Sequence, residues 1–168
     1  MEPVRTIPQK QIYKAVFEAI GQIYCQSTPE TKSLLNQALA IEEDDVAKDM
    51  LQAMLLNEEL AAKKQLPICQ DTGIVIVFAD IGTETKIENG TLYSIVSKAV
   101  NDAWGKYYLR DSIAEEPLRY FSNPPKKSKY YSQPVILHLS EILGNKLELH
   151  ISLKGGGAEN CSTLKMFN

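Results

Sequence analysis

Cysteine is scarce in this chain, with three residues at positions 25, 69 and 161 of 168. An odd number at such wide spacing argues against a disulfide framework. Positive charge is not in excess either. Eighteen Lys and Arg face twenty-one Asp and Glu, for a net charge of -3. That balance argues against general binding to nucleic acid or to an anionic membrane, both of which need a positive field. No apolar run approaches the roughly 18 to 20 residues that cross a bilayer. The opening Met1-Glu2-Pro3-Val4-Arg5 lacks the charged and apolar regions of a secretory signal. These absences point to a soluble, cytoplasmic, globular protein. Its length suits one domain over residues 1–168, with a core large enough to need no staples.

Glycine is nearly missing from the first part. Gly21 alone precedes residue 73, and the other eight of nine follow. Residues 1–66 therefore read as a helical leader, and 67–168 as the part that carries turns and sheet. Pro8 suits the first turn of a helix running to about Gln26, with Ile12, Val16, Ile20 and Ile23 inward. Thr28-Pro29-Glu30 is a start signal: a hydroxyl cap, proline at the first helical position and an acid at the positive dipole end. Leu34, Leu35, Ala38 and Leu39 form the apolar face of that second helix. The acidic run Glu42–Asp45 supplies a new cap. A third helix follows, with Ala47, Met50, Leu51, Met54 and Leu55 read as core, and it fades near Lys63-Lys64.

Beyond Pro67, the β-branched run Ile74–Ala79 predicts a strand buried on both faces. A polar stretch between Gly82 and Asn89-Gly90 has room for a short strand. Thr91 to about Arg110 predicts a helix with Leu92, Ile95, Val96, Ala99, Val100 and Ala103 inward. Prolines 117, 124, 125 and 134 predict a loop over 115–134. Residues 134–139 and 146–151 read as two strands, with Gly144-Asn145 as a hairpin signal between them. Leu147, Leu149, Ile151 and Leu153 share one face by strict alternation. The expected fold class is α/β (α+β): about three leading helices, then a mixed sheet with packed helices.

Two clusters can carry chemistry. The first, Pro67-Ile68-Cys69-Gln70-Asp71-Thr72-Gly73, sits where the third helix meets the predicted strand. A thiol, an amide, a carboxylate and a hydroxyl there offer a metal ligand, hydrogen bonds and proton transfer. The same residues also suit an Asx turn beside a small core cysteine. Asp71-Thr72-Gly73 evokes aspartic proteases, but Gln70 replaces the apolar residue expected before the aspartate, and helices precede it where strands belong. The second cluster is Lys154-Gly155-Gly156-Gly157-Ala158-Glu159-Asn160. Three glycines let successive N–H groups converge into an anion site, strengthened by any helix starting near Ala158. Neither the GK[ST] ending of a P-loop nor the third glycine of a dinucleotide fingerprint is present. His138 and His150 read as structural residues on strands, Cys25 as core, and Arg110 as a helix-end residue whose fork would suit a dicarboxylate.

Taken together and in this order, LPICQDTG, YLRDS and KGGGAEN resemble the class I, iron–sulfur-dependent fumarate hydratases and L-tartrate dehydratases, in their α-subunit or N-terminal catalytic region. The resemblance runs from about residue 8 to the C-terminus. It implies a hydro-lyase for dicarboxylic hydroxy acids, with fumarate/malate first and L-tartrate next. It also implies a [4Fe–4S] cluster held by three cysteines, one iron being left open as a Lewis acid. Carried over, Cys69 is the first cluster ligand. Gln70 and Asp71 touch substrate, with Asp71 near the reacting centre and in proton transfer. Arg110 binds a carboxylate, and the backbone of Gly155, Gly156 and Gly157 forms part of the substrate wall. His138 matches the family's strand histidine without an assigned role. Cys25 and Cys161 do not stand at ligand positions, so the other two cysteines are expected beyond this sequence. Relatives carry an Asn-Thr-Gly-Asp-Asn-Thr-type stretch where this chain has Ser122–Lys129. The expectation is an N-terminal portion that lacks the cluster and activity when isolated. Its partner would be the remaining catalytic region or a β-subunit, in a homo- or hetero-oligomer. The alternative is a non-catalytic binding or assembly module that retains the family fold.

Overall fold

A computed structural model describes residues 3–110 and 135–166. The predicted loop over 115–134 lies outside the described residues. A short strand β1 (Arg5–Ile7) leads into helices α1 (Gln9–Cys25), α2 (Pro29–Ile41) and α3 (Asp45–Lys64). Strands β2 (Ile74–Gly82) and β3 (Thr85–Ile87), helix α4 (Leu92–Lys106) and strands β4 (Val135–Ile142) and β5 (Leu147–Lys154) follow, and a 3-10 turn spans Ala158–Cys161. β1 pairs in parallel with β3, while a second sheet has the order β4-β2-β5, with β4 parallel and β5 antiparallel to β2. The class is α/β with a mixed sheet. Among the described residues no helix is long and apolar enough to cross a membrane.

The caps of α2 and α3 fall where the sequence puts them. The Thr28 hydroxyl accepts from the Thr31 N–H, and the Asp44 carboxylate from the Ala47 N–H. Thr91 and Ser94 form a reciprocal capping box on α4. The core lies between one face of the β4-β2-β5 sheet and helices α1 and α4. Ile12, Val16 and Ile20 meet Ile95, Val96, Ala99, Val100 and Ala103 there, against Val75, Val77 and Ala79. Cys25 is buried among them, as expected of a core thiol. Leu147, Leu149, Ile151 and Leu153 pack onto this cluster from β5.

Several expectations are corrected. Tyr24, not Ile23, continues the buried face of α1, because the step of four from Ile20 keeps the line that the step of three leaves. The second and third helices are not core helices. α2 buries no residue, and Leu34, Met50 and Met54 are exposed, Met50 at 65%. The two helices pack on each other, and α3 buries only Glu58 and Ala61. β2 is buried on one face. Val75, Val77 and Ala79 alternate with Phe78, which is 48% exposed, because no described layer covers the other side. On that open face His138 stacks on Phe78 at 4.9 Å. His150 lies 3.2 Å from Glu148, so both histidines are surface residues.

β4 and β5 are not a hairpin, because β2 lies between them. The Gly144-Asn145 connection crosses the end of β2 and is held there by its backbone. Thr83 N–H donates to the Ile142 carbonyl, Glu84 N–H to that of Gly144, and Gly82 N–H to that of Lys146. α4 stops at Lys106, and Tyr108 adopts a left-handed φ of 55°. Arg110 therefore lies beyond the helix end. Nor does a full helix begin at Ala158, where a four-residue 3-10 turn forms instead.

Candidate active site

The first cluster is tied at both ends. Gln65 closes α3 in the left-handed region at φ 53°, turning the chain back. Ile68 then donates its N–H to the Tyr24 carbonyl at 2.9 Å and accepts at its own carbonyl from Asn57 Nδ2 at 2.8 Å. Cys69 emerges exposed, and its Sγ accepts the Asp71 N–H at 3.2 Å. Gly73 ends the segment at φ +55°, where a Cβ would stand 1.9 Å from the Lys154 carbonyl oxygen. Only glycine lets β2 start this close to the end of β5.

That approach brings the two sequence clusters together. The Asp71 carboxylate accepts from the N–H groups of Gly156 at 2.8 Å, Gly157 at 2.9 Å and Glu159 at 3.4 Å. The glycine nest thus forms as expected, and its anion is a side chain of the protein itself. These N–H groups, Gly156 first and Gly157 next, hold the Asp71 carboxyl below the usual carboxylate range. The loop is further fixed from within. Glu159 accepts the Gly155 N–H at 2.5 Å and lies 3.1 Å from Lys154 Nζ, which lower its pKa in that order. Asn160 accepts from Lys154 Nζ at 2.8 Å and donates to the Gly156 carbonyl at 2.9 Å. At Gly155 a Cβ would lie 2.7 Å from Asp71 Oδ2, so the nest has no room for a side chain there.

Arg110 joins from the third segment. Its carbonyl accepts from the buried Thr72 hydroxyl and from Trp104 Nε1, the latter at 3.3 Å. Gln70, Asp71, Arg110, Gly156, Gly157 and Ala158 line one cleft of about 240 Å³. Cys69 and Gly155 line an adjoining cleft of about 350 Å³ with Tyr24, Glu159 and others, and Asp71 and Ala158 border both. Cys69, Gln70, Asp71, Arg110, Gly155, Gly156 and Gly157 therefore sit on one of two neighbouring clefts, with Thr72 buried behind them. His138 does not, since it stands on the open face of the sheet.

Tyr24 and Trp104 escaped the sequence reading as parts of this site, and Thr72 entered it only as the hydroxyl of the first cluster. Each looks like an ordinary core residue, and only the fold shows where its polar atom points. Burial, and then the charges of Cys69 and Asp71, push the Tyr24 phenol pKa well up, so it remains a donor. The donor set for a metal is partial. Cys69 offers one accessible thiol with an N–H on its sulfur, a pattern that tunes thiolate ligands. No group of three or more Cys, His, Asp or Glu able to hold a metal ion is gathered among the described residues.

Two comparisons bear on these clefts. The sequence profile of the fumarate hydratase (Fumerase) family matches residues 13–168. A protein of Methanocaldococcus jannaschii named for the alpha subunit of an L(+)-tartrate dehydratase is 30% identical over 161 residues. The match covers 93% of this chain and 54% of that protein, so the chain spans about half the length of its relative.

Proposed function

The chain belongs to the fumarate hydratase (Fumerase) family, and from that premise we propose that it supplies one wall of a hydro-lyase site for four-carbon dicarboxylic acids. Fumarate and malate are the first substrate pair and L-tartrate the next. The observation that carries this reading is the convergence of Gln70, Asp71, Arg110, Gly156 and Gly157 on a single cleft. These residues come from three distant stretches of sequence and provide what a dicarboxylate needs. The Arg110 guanidinium offers a planar fork for one carboxylate, the Gln70 amide offers directional polar contacts, and the glycine N–H groups hold Asp71 in place beside them. Asp71 is the candidate catalytic residue. Held ionised at neutral pH by the glycine N–H groups, it is suited to take the proton of the C–H bond that breaks in dehydration, while the hydroxyl leaves as water on a proton delivered by another group of the complete site.

The [4Fe–4S] cluster of the family fits this chain only in part. Cys69 is the one cysteine on the clefts, and a cluster needs more thiolates than the described residues bring together. The isolated chain is therefore proposed to bind no complete cluster and to be inactive. The remaining ligands would come from a partner region or a β-subunit.

The test is anaerobic. The isolated chain is reconstituted with iron and sulfide and assayed for hydration of fumarate and dehydration of L-tartrate. The chain is then assembled with the part of the Methanocaldococcus jannaschii relative that the match does not cover and assayed again. No stable four-iron cluster and no turnover are expected alone. Turnover on assembly is expected to disappear in Cys69→Ser, Asp71→Asn and Arg110→Gln. A stoichiometric cluster with turnover in the isolated chain, or an assembly indifferent to these changes, refutes the proposal.

A further inference from the structure

The cleft rests on a buried support that substrate itself does not touch. Behind it, three donors converge on two peptide carbonyls. The Tyr24 hydroxyl donates to the Thr72 carbonyl, and the Thr72 hydroxyl donates to the Arg110 carbonyl. Trp104 Nε1 reaches the same Arg110 oxygen at 3.3 Å. Thr72 is 0% exposed, and Tyr24 and Trp104 are buried with their rings edge to face at 5.2 Å. Arg110 is held at its carbonyl, where Thr72 and Trp104 are the donors among the described residues. It lies beyond α4, after the left-handed Tyr108, and the nearest backbone bond runs from the Leu109 N–H to the Trp104 carbonyl.

One residue therefore joins two parts of the cleft. Thr72 adjoins Asp71 in sequence, and its side chain grips the segment that carries Arg110. We propose that Thr72 is a positioning residue, whose hydroxyl, backed by the Trp104 indole, sets where the Arg110 guanidinium stands relative to Gln70 and Asp71. The proposal rests on the reading that Arg110 receives a substrate carboxylate. A hydroxyl is required at position 72, because Thr72 is 0% exposed and valine of the same shape offers the Arg110 oxygen no hydrogen. The Tyr24 phenol fixes Thr72 in turn through the Thr72 carbonyl, so the backbone that carries the hydroxyl is held from the core.

The test titrates the full 168-residue chain with succinate, a four-carbon dicarboxylate, following the Arg110 Nε–H and the Gly156 and Gly157 amides by NMR. Thr72→Val is expected to weaken succinate about tenfold, corresponding to about 1.4 kcal/mol. Thr72→Ser, which keeps the hydroxyl, is expected to bind like the parent. Thr72→Val is expected to add nothing once Arg110→Gln is present, an outcome that general destabilisation would not produce. If Thr72→Val fails to fold, Trp104→Phe removes the second donor and carries the same comparison. A folded Thr72→Val that binds like the parent while Arg110→Gln does not overturns the positioning role and leaves the reading of Arg110 intact. So does a Thr72→Ser variant as weak as Thr72→Val. Parent-like binding by Arg110→Gln, or no succinate binding by the parent chain, overturns that reading and this inference with it.

Discussion

Replacing Gly73 with alanine tests the contact that brings the two halves of the site together. Gly73 has φ +55°, where an alanine costs about 1–2 kcal/mol. Its Cβ would also stand 1.9 Å from the Lys154 carbonyl oxygen, against 3.4 Å for ordinary contact. The shortfall, roughly 1.5 Å, must be met by backbone, because the obstacle is a main-chain atom. Neighbouring Ile74 pairs with Lys154 at the end of the β2–β5 ladder, so the shift breaks or bends at least one ladder bond, worth about 1 kcal/mol. Restricting the unfolded chain returns about 0.4–1 kcal/mol. The expected net loss is about 1–2.6 kcal/mol, a fall in Tm of roughly 2–10 °C for a chain of this size. Urea unfolding followed by circular dichroism measures it. Gly105→Ala is the internal control: it sits in α4 with nothing within 4 Å of its Cβ, and is expected to be neutral or stabilising by up to about 1 kcal/mol. If Gly73→Ala matches Gly105→Ala in stability, the close approach that assembles the nest is wrong.

Three further outcomes are expected. Asp71→Ala removes the acceptor shared by the Gly156, Gly157 and Glu159 N–H groups. Hydrogen exchange at those three amides should then quicken at least about tenfold with the helices unaffected, and unchanged protection would refute the nest. The Asp102 carboxyl is held below its ordinary value, by the Lys98 ammonium first and the Tyr13 hydroxyl second. Its contribution is therefore complete above about pH 4 and is lost as pH falls through the lowered value. The difference in Tm between the parent and Asp102→Asn should shrink from pH 6 to pH 3, and a constant gap contradicts the linkage. Tyr24 titrates in the opposite sense. Its raised phenol pKa gives stability present below about pH 10 and lost as pH rises further. In an alkaline ultraviolet titration Tyr24→Phe should remove a late-ionising tyrosine, and loss of an early one refutes the buried donor.

Much of the local structure was legible. Thr28, Asp44 and Thr91 cap the helices they precede because a short side-chain oxygen satisfies N–H groups that no helix can pair internally. The alternation of Leu147, Leu149, Ile151 and Leu153 gave the packed face of β5 directly. Hydrophobic pattern, by contrast, does not establish burial. Met50 and Met54 have helical spacing, and β2 has a continuous apolar run, yet periodicity says only which residues share a face. Whether a layer covers that face depends on elements remote in sequence. The expected hairpin failed for a related reason. A turn signal at Gly144-Asn145 reports that the chain bends, and β2 claimed the space between the two strands.

The chemistry divides along the same line. By its motifs alone the sequence determined the family resemblance, the candidate groups Cys69, Gln70, Asp71 and Arg110, and the glycine run at 155–157 as a place for an anion. Those are properties of residue type and order, which a chain carries whether or not it is folded. Tertiary structure decided that the anion in the glycine nest is Asp71 itself, that Cys69 and Arg110 face neighbouring clefts, and that Thr72 and Trp104 hold the Arg110 backbone. These pairings span 38 to 88 residues or depend on a side chain's direction within the core. They follow from how β2 lies between β4 and β5, a packing choice that no local run of sequence encodes.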